Sequence, residues 1–224
     1  MFEQQPPASI TELLQRTTAI AGRSLAELAA QLGRPLPDDL RRHKGLVGQY
    51  VEFALGADGG NLPQPDFATL GVELKTIPID RYGQPLETTY VCVAPLRVTL
   101  ADHWAHSLLR RKLAQVLWVP VEGERQLPLG ERRIGQGFLW QLDAHSEALL
   151  QRDYDELMEY IALGQLDQLH ARHGHWLQLR PKAADSRVRT EAINDQGQAV
   201  RLNPRGFYLR KAFTAALLNQ HLQV

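Results

Sequence analysis

Asp66-Phe67-Ala68-Thr69-Leu70-Gly71-Val72-Glu73-Leu74-Lys75 decides how this chain folds locally and what chemistry it can carry. It reads as an aspartate, six residues, a glutamate, one residue and a lysine. Alternation over 69–77 predicts a strand. Val72, Leu74 and Thr76 fall on one face and Glu73, Lys75 and Ile77 on the other. Glu73 and Lys75 then point the same way. Asp66, at the turn before the strand, can bend its carboxylate toward Glu73. Two carboxylates are hard oxygen ligands suited to Mg2+. A lysine beside them can orient or deprotonate water and offset phosphate charge. This is equipment for metal-assisted phosphodiester hydrolysis. The same spacing also suits an ion pair on a solvated strand face. Lysine is scarce beside arginine in this chain, which makes a lysine here more informative.

Glu52 sits between Val51 and Phe53 on an otherwise apolar helix, ahead of the turn-rich stretch 57–65. It reads either as the partner of a local basic residue or as a third acid of the metal region. Lys112, in Arg110-Arg111-Lys112-Leu113, reads either as a solvated lysine or as a phosphate contact. His170, His173 and His175 lie close together, but no further ligand type is arranged around them as a zinc site needs.

With 224 residues, 44% hydrophobic and 22% charged, the chain is long enough for one large domain or two closely joined lobes. No apolar run approaches membrane-spanning length, and Met1 to Pro7 lacks a basic start followed by an apolar stretch. A cytoplasmic protein with no membrane association is therefore expected. The single cysteine, Cys92, excludes an internal disulfide and reads as a buried thiol. The formal net charge is zero, but it is unevenly spread. Stretch 170–211 carries nine basic residues against three acidic ones, and 140–169 carries seven acidic residues against one basic. Such polarity suits either a chain that meets a polyanion with its basic block or one with two solvated faces.

The expected architecture is α/β, with strands and helices alternating irregularly. Ser9-x-x-Glu12 and Ser24-x-x-Glu27 read as capping boxes of two helices ended by Gly22 and Gly33. A third helix is expected over 44–55, with Leu46, Tyr50 and Phe53 as its apolar stripe. Strands are expected over 69–77, 89–94, 116–121, 176–179 and 206–209. Further helices are expected over 108–113, 147–163 and 213–222. No internal repeat is visible.

Longer strings add a resemblance. They include Lys44-Gly45-x-x-Gly48, Gln64-x-Asp66 through Pro78, Pro85-Leu86-Glu87-Thr88-Thr89 and Val91-Cys92-Val93-Ala94-Pro95-Leu96. Val116-Leu117-Trp118-x-Pro120-Val121-Glu122-Gly123-Glu124, Arg180-Pro181-Lys182-Ala183-Ala184 and Arg205-Gly206-Phe207-Tyr208-Leu209 continue it. From about residue 11 to 222 the chain resembles the MutH family, the strand-nicking endonucleases of bacterial methyl-directed mismatch repair. The resemblance implies a restriction-endonuclease-like fold: a mixed sheet flanked by helices, one nuclease domain over 1–224, with two lobes around a DNA cleft. It implies Mg2+-dependent nicking of the unmethylated strand at hemimethylated GATC sites, 5′ to the G, and activation by MutL loaded in response to MutS.

Residue by residue, it implies Asp66 and Glu73 as metal ligands, Lys75 as catalytic lysine, and Glu52 as a further active-site acid. Lys112 is implied as an active-site lysine from the basic helix. Arg180, Pro181 and Lys182 are implied as the DNA-reading segment, Tyr208 as the sensor of adenine methylation, and Lys44 and Gly45 as a loop that approaches DNA. An unduplicated chain of this length suits a monomeric nickase. A GATC-cutting restriction enzyme and a non-catalytic DNA-binding module are the alternatives.

Overall fold

The structure is a computed structural model. It describes residues 4–38, 40, 43, 45–59, 64–99, 102–170, 172–182 and 187–221. Lys44, Ala183 and Ala184 lie outside the described residues. In chain order the elements are α1 (Ile10–Ile20), α2 (Leu25–Gln31), α3 (Leu46–Leu55), β1 (Glu73–Ile79), β2 (Thr89–Val93), α4 (Leu108–Leu113) and β3 (Gln115–Glu122). They continue with β4 (Phe138–Gln141), α5 (Ala144–Ala162), β5 (Leu177–Pro181), β6 (Thr190–Ile193), β7 (Ala199–Leu202), β8 (Arg205–Leu209) and α6 (Lys211–His221). The fold is mixed α/β, with small sheets and flanking helices. The chain divides into two compact units, one of residues 1–87, 115–141 and 217–224, the other of 88–114 and 142–216. No helix among the described residues is long and apolar enough to cross a membrane.

In the first unit, β3 is the central strand, parallel to β1 and antiparallel to β4. Glu73 is in register with Val116, Lys75 with Trp118, and Trp118 with Phe138. One sheet face carries Leu74, Leu117, Val119 and Val121, which join a core with Leu13, Leu25, Leu28, Val51 and Leu55 from α1 to α3. Alternation therefore turns Glu73 and Lys75 to the opposite face. That face is also covered, since Val116, Trp118 and Ile77 are buried. The Ser24 capping box forms as expected, Ser24 and Glu27 each bonding the other's backbone N–H. At α1 Ser9 caps Glu12 N–H, but the Glu12 carboxylate accepts from Ala8 N–H instead of closing the box.

Two expectations for this unit are corrected. The strand begins at Glu73, not at 69. Residues 68–70 form a 3-10 turn, and Gly71 takes φ +67°, a left-handed conformation that breaks strand geometry. On α3, Phe53 is 40% exposed beneath the Arg34 guanidinium, and Tyr50, Val51, Ala54 and Leu55 form the buried stripe.

The second unit holds an antiparallel sheet in the order β2-β8-β5 and a separate β6–β7 hairpin. Helix α5 buries Leu150, Tyr154, Leu157 and Ile161, the stripe its periodicity predicts. It starts earlier than expected because Asp143, not a later residue, caps it by accepting from Ser146 N–H. Strand β2 is not buried throughout: a bulge lies between Tyr90 and Cys92, and Val93 is exposed. Cys92 is a buried free thiol. The hairpin and β4 have no counterpart among the predicted strands.

Candidate functional site

A tight backbone device assembles the acids. Phe67 and Val72 exchange both backbone hydrogen bonds, 2.9 and 3.2 Å, around the 68–70 turn. In an antiparallel pair the next residues outward face one another, so Asp66 stands across from Glu73. The six-residue spacing is thus the length of one closed turn. Leu74 N–H donates to Asp66 Oδ2 at 2.7 Å, fixing the carboxylate beside the first residues of β1. Behind it, Asp58 and Gly59 N–H groups donate to the Asp66 carbonyl at 3.0 and 2.8 Å, and the Asp58 carboxylate accepts from Ala68 N–H. Asp58 was not singled out by sequence; the only signal was the turn-rich composition of its loop.

Glu73 is 3% exposed, and its Oε1 accepts a short charge-assisted bond from Lys75 Nζ. Lys75 is only partly exposed. Both readings of the spacing meet here, because an ion pair does form, but at a buried position. A buried pair is weak evidence for stability, since desolvation offsets most of its attraction.

Asp66 and Glu73 offer hard oxygen donors, and Mg2+ commonly takes one or two carboxylates, with water and substrate phosphate completing its shell. The pair fits such an ion. Glu52 is not gathered with them: among the described residues no group of three or more acids, histidines or cysteines could hold a metal. Glu52 approaches β1 near Thr76. Its Oε1 and the Thr76 hydroxyl each lie 3.9 Å from where a Cβ on Gly48 would stand, and Thr76 alternates with Lys75 along the strand. Glu52 also lines a groove of about 680 Å³ beside α3, with Pro35, Leu36, Tyr50 and Phe53; Asp66, Glu73 and Lys75 do not line it.

The second unit brings the predicted DNA-reading residues together. Arg180 and Pro181 end β5, in register with Gly206 and Arg205 of β8, and Lys182 N–H donates to Pro204 O at 2.8 Å. Arg180 donates to the Thr88 hydroxyl at 2.7 Å, and its guanidinium carbon lies 5.5 Å from the Tyr208 ring centre. Tyr208 meets Tyr90 edge-on at 5.3 Å, and Lys182 Nζ lies 4.0 Å from the Tyr90 ring. The result is a row of cation, ring, ring, cation. Arg180, Pro181 and Lys182 are exposed.

Tyr90 was missed by sequence because its run reads as a buried strand and only the β2–β8 register sets it opposite Tyr208. Gly206 makes room for it, since a Cβ there would stand 2.9 Å from Tyr90 Cε2. Burial, with Cys92 and Tyr208 adding smaller effects, pushes the Tyr90 phenol up to about 12, so it stays protonated at neutral pH.

Lys112 lies in the second unit, partly exposed on α4. Ser107 caps that helix by accepting from Arg110 N–H, and Arg110 ties it to Glu147 of α5 at 2.6 Å. Gly45 caps α3 at φ +86°, a conformation that suits glycine.

Comparison with known proteins gives the family. The family model described as "DNA mismatch repair enzyme MutH" matches residues 55–153. The "DNA mismatch repair protein MutH" of Shewanella oneidensis is 56% identical over 215 residues, covering 96% of this chain and 96% of the relative. Those of Shewanella baltica (strain OS155) and Shewanella sp. (strain MR-7) are 56% and 57% identical over the same coverage. With identity that high across almost its whole length, the chain belongs to the MutH family of DNA mismatch repair enzymes.

Proposed function

We propose that this chain is a Mg2+-dependent endonuclease that nicks the unmethylated strand of hemimethylated GATC sites, 5′ to the G, during mismatch repair. The observation that carries the chemistry is Asp66 set across from Glu73 by one closed turn, with Lys75 paired to Glu73. Asp66 and Glu73 would hold the ion, which supplies Lewis-acid polarisation of the scissile phosphate and a more acidic water. Lys75, fixed by Glu73, donates hydrogen bonds to the attacking water and to a phosphate oxygen as negative charge grows there. Lys112 adds positive charge to the phosphate, and Glu52 serves as a further acid of the site. Water adds to phosphorus and one P–O ester bond breaks.

Recognition falls to the second unit. Arg180 suits bidentate bonding to guanine O6 and N7, and Lys182 suits phosphate or base contact. An N6-methyl group projects into the major groove, where the bulk of Tyr208 excludes it. Lys44 and Gly45 approach the DNA from the loop before α3. In this reading the fold is restriction-endonuclease-like, with two lobes around a DNA cleft, and the protein acts as a monomer in the cytoplasm. MutL, loaded in response to MutS, activates it by favouring a competent arrangement.

The test is nicking of plasmid GATC sites with Mg2+ and MutL, on unmethylated, hemimethylated and fully methylated DNA. The expected result is nicks confined to unmethylated strands. Double-strand cutting indifferent to methylation would point to a restriction enzyme. Duplex binding without any nicking would point to a binding module.

A further inference from the structure

The β6–β7 hairpin is a built, basic feature that the site described above does not use. Its register pairs Thr190 with Leu202, Glu191 with Arg201 and Ile193 with Ala199. Alternation puts Arg189, Glu191, Arg201 and Asn203 on one face and Thr190, Ala192, Val200 and Leu202 on the other. Ala192 is buried, so the second face turns to the protein body, whereas Arg189, Glu191 and Arg201 are exposed. Arg97, also exposed, reaches Glu191 at 3.5 Å. Arg189 donates across the hairpin to Asn203 Oδ1. Arg97 thus pairs with Glu191 on the outward face that Arg189 and Arg201 share.

This face is held firmly and in a telling place. At the tip, the Asn194 side chain accepts from Gln196 and Gln198 N–H, and Asn194 packs so closely on Gly164 that a Cβ there would stand 2.1 Å from its carbonyl carbon. At the base, Arg205 pairs with Pro181, its carbonyl accepts from Ala94 N–H at 2.9 Å, and Pro204 O accepts from Lys182 N–H. The hairpin therefore leads into β8, beside the end of β5 that carries Arg180 and Lys182.

We propose that the Arg97–Arg189–Arg201 face is a phosphate-backbone tract that extends duplex contact beyond the bases recognised; this rests on the DNA reading above. Charge complementarity names the occupant: closely spaced cations on a fixed two-stranded ribbon match the regular anions of a duplex flank. Arg201 lies four positions before Arg205, a reach of up to about 13 Å at about 3.3 Å per strand residue. At about 3.4 Å per base pair, that is roughly four pairs along the flank.

The experiment is binding of GATC duplexes to the full chain over a salt series, with a short duplex of about three flanking pairs per side and a long one of about ten. On the long duplex, Arg189→Ala/Arg201→Ala flattens the slope of log affinity against log salt by about 1.8. Arg189→Lys/Arg201→Lys keeps the wild-type slope, and Glu191→Gln tightens binding. On the short duplex the double alanine variant matches wild type. It also keeps the wild-type nicking rate at saturating long DNA. An unchanged slope on the long duplex, or equal losses on both lengths, overturns the proposal. If the wild-type chain shows no salt-dependent duplex binding at all, the DNA reading fails with it. If wild type binds and the variants are indifferent, only the hairpin assignment fails.

Discussion

Gly59 donates its N–H to the Asp66 carbonyl at 2.8 Å, and a Cβ at position 59 would stand 2.9 Å from Asp66 Cα and 2.3 Å from Pro65 O. These are backbone atoms and cannot turn aside. Gly59→Ala must therefore displace Asp66. A misplacement of about 1 Å costs about a hundredfold in rate, while the stability loss from overpacking is about 1–3 kcal/mol. Single-turnover nicking paired with thermal melting checks this. A rate that stays at wild type would mean Asp66 is not held from behind by this loop.

Gly206→Ala tests the recognition row in the same way. The added methyl meets the Tyr90 ring at 2.9 Å and the Cys92 carbonyl at 3.2 Å. Tyr90 and its partner Tyr208 must shift, and neither Asp66 nor Glu73 is touched. Discrimination between methylated and unmethylated strands falls, and binding weakens more than the saturated rate does. Competition between hemimethylated and fully methylated duplexes measures it.

The paired acids were readable because one turn encodes them. Asp66 and Glu73 are seven residues apart, and the closed Phe67–Val72 pair needs that length. Their surroundings were less readable. Thr69 and Val72 look like strand residues, but Gly71 in the left-handed region ends that option, and a φ value is not written in an alternation pattern. Phe53 belongs to the apolar stripe by spacing, yet it lies under Arg34, a long-range contact. The four-residue strands β4, β6 and β7 are too short to show a period, and the outer face of the hairpin is polar. Tyr90 depends on a register between strands more than a hundred residues apart.

Asp153 predicts a stability effect. Its Oδ2 accepts from the N–H groups of His175, Trp176 and Leu177 at 2.8, 2.5 and 2.9 Å, at 1% exposure. The turn it holds leads directly into β5. Asp153→Ala leaves buried donors unsatisfied, each costing about 1–3 kcal/mol, and destabilises the chain strongly. Asp153→Asn retains an acceptor and costs less. Urea denaturation of both variants checks the order.

The Tyr90 phenol gives an alkaline prediction. Its folded value of about 12 lies above the ordinary value of 10.0 because burial disfavours the phenolate. A raised value favours the folded state while the group stays protonated, so its contribution is intact below about pH 10. It is lost as pH rises from about 10 toward 12, where the unfolded chain ionises first. Tyr90→Phe therefore flattens the fall of stability across that window, and removes one late-titrating phenol from the ultraviolet titration.

Single-turnover nicking of a hemimethylated GATC duplex across a Mg2+ titration, for the wild-type chain, Asp66→Asn and Lys75→Ala with duplex binding in parallel, decides whether Asp66, Glu73 and Lys75 form a metal-dependent phosphodiesterase centre. Such a centre gives nicking that requires Mg2+, rates at least about a thousandfold lower in both variants, and duplex binding retained by Lys75→Ala. Nicking without a divalent metal, or a Lys75→Ala variant that nicks at the wild-type rate, would contradict it.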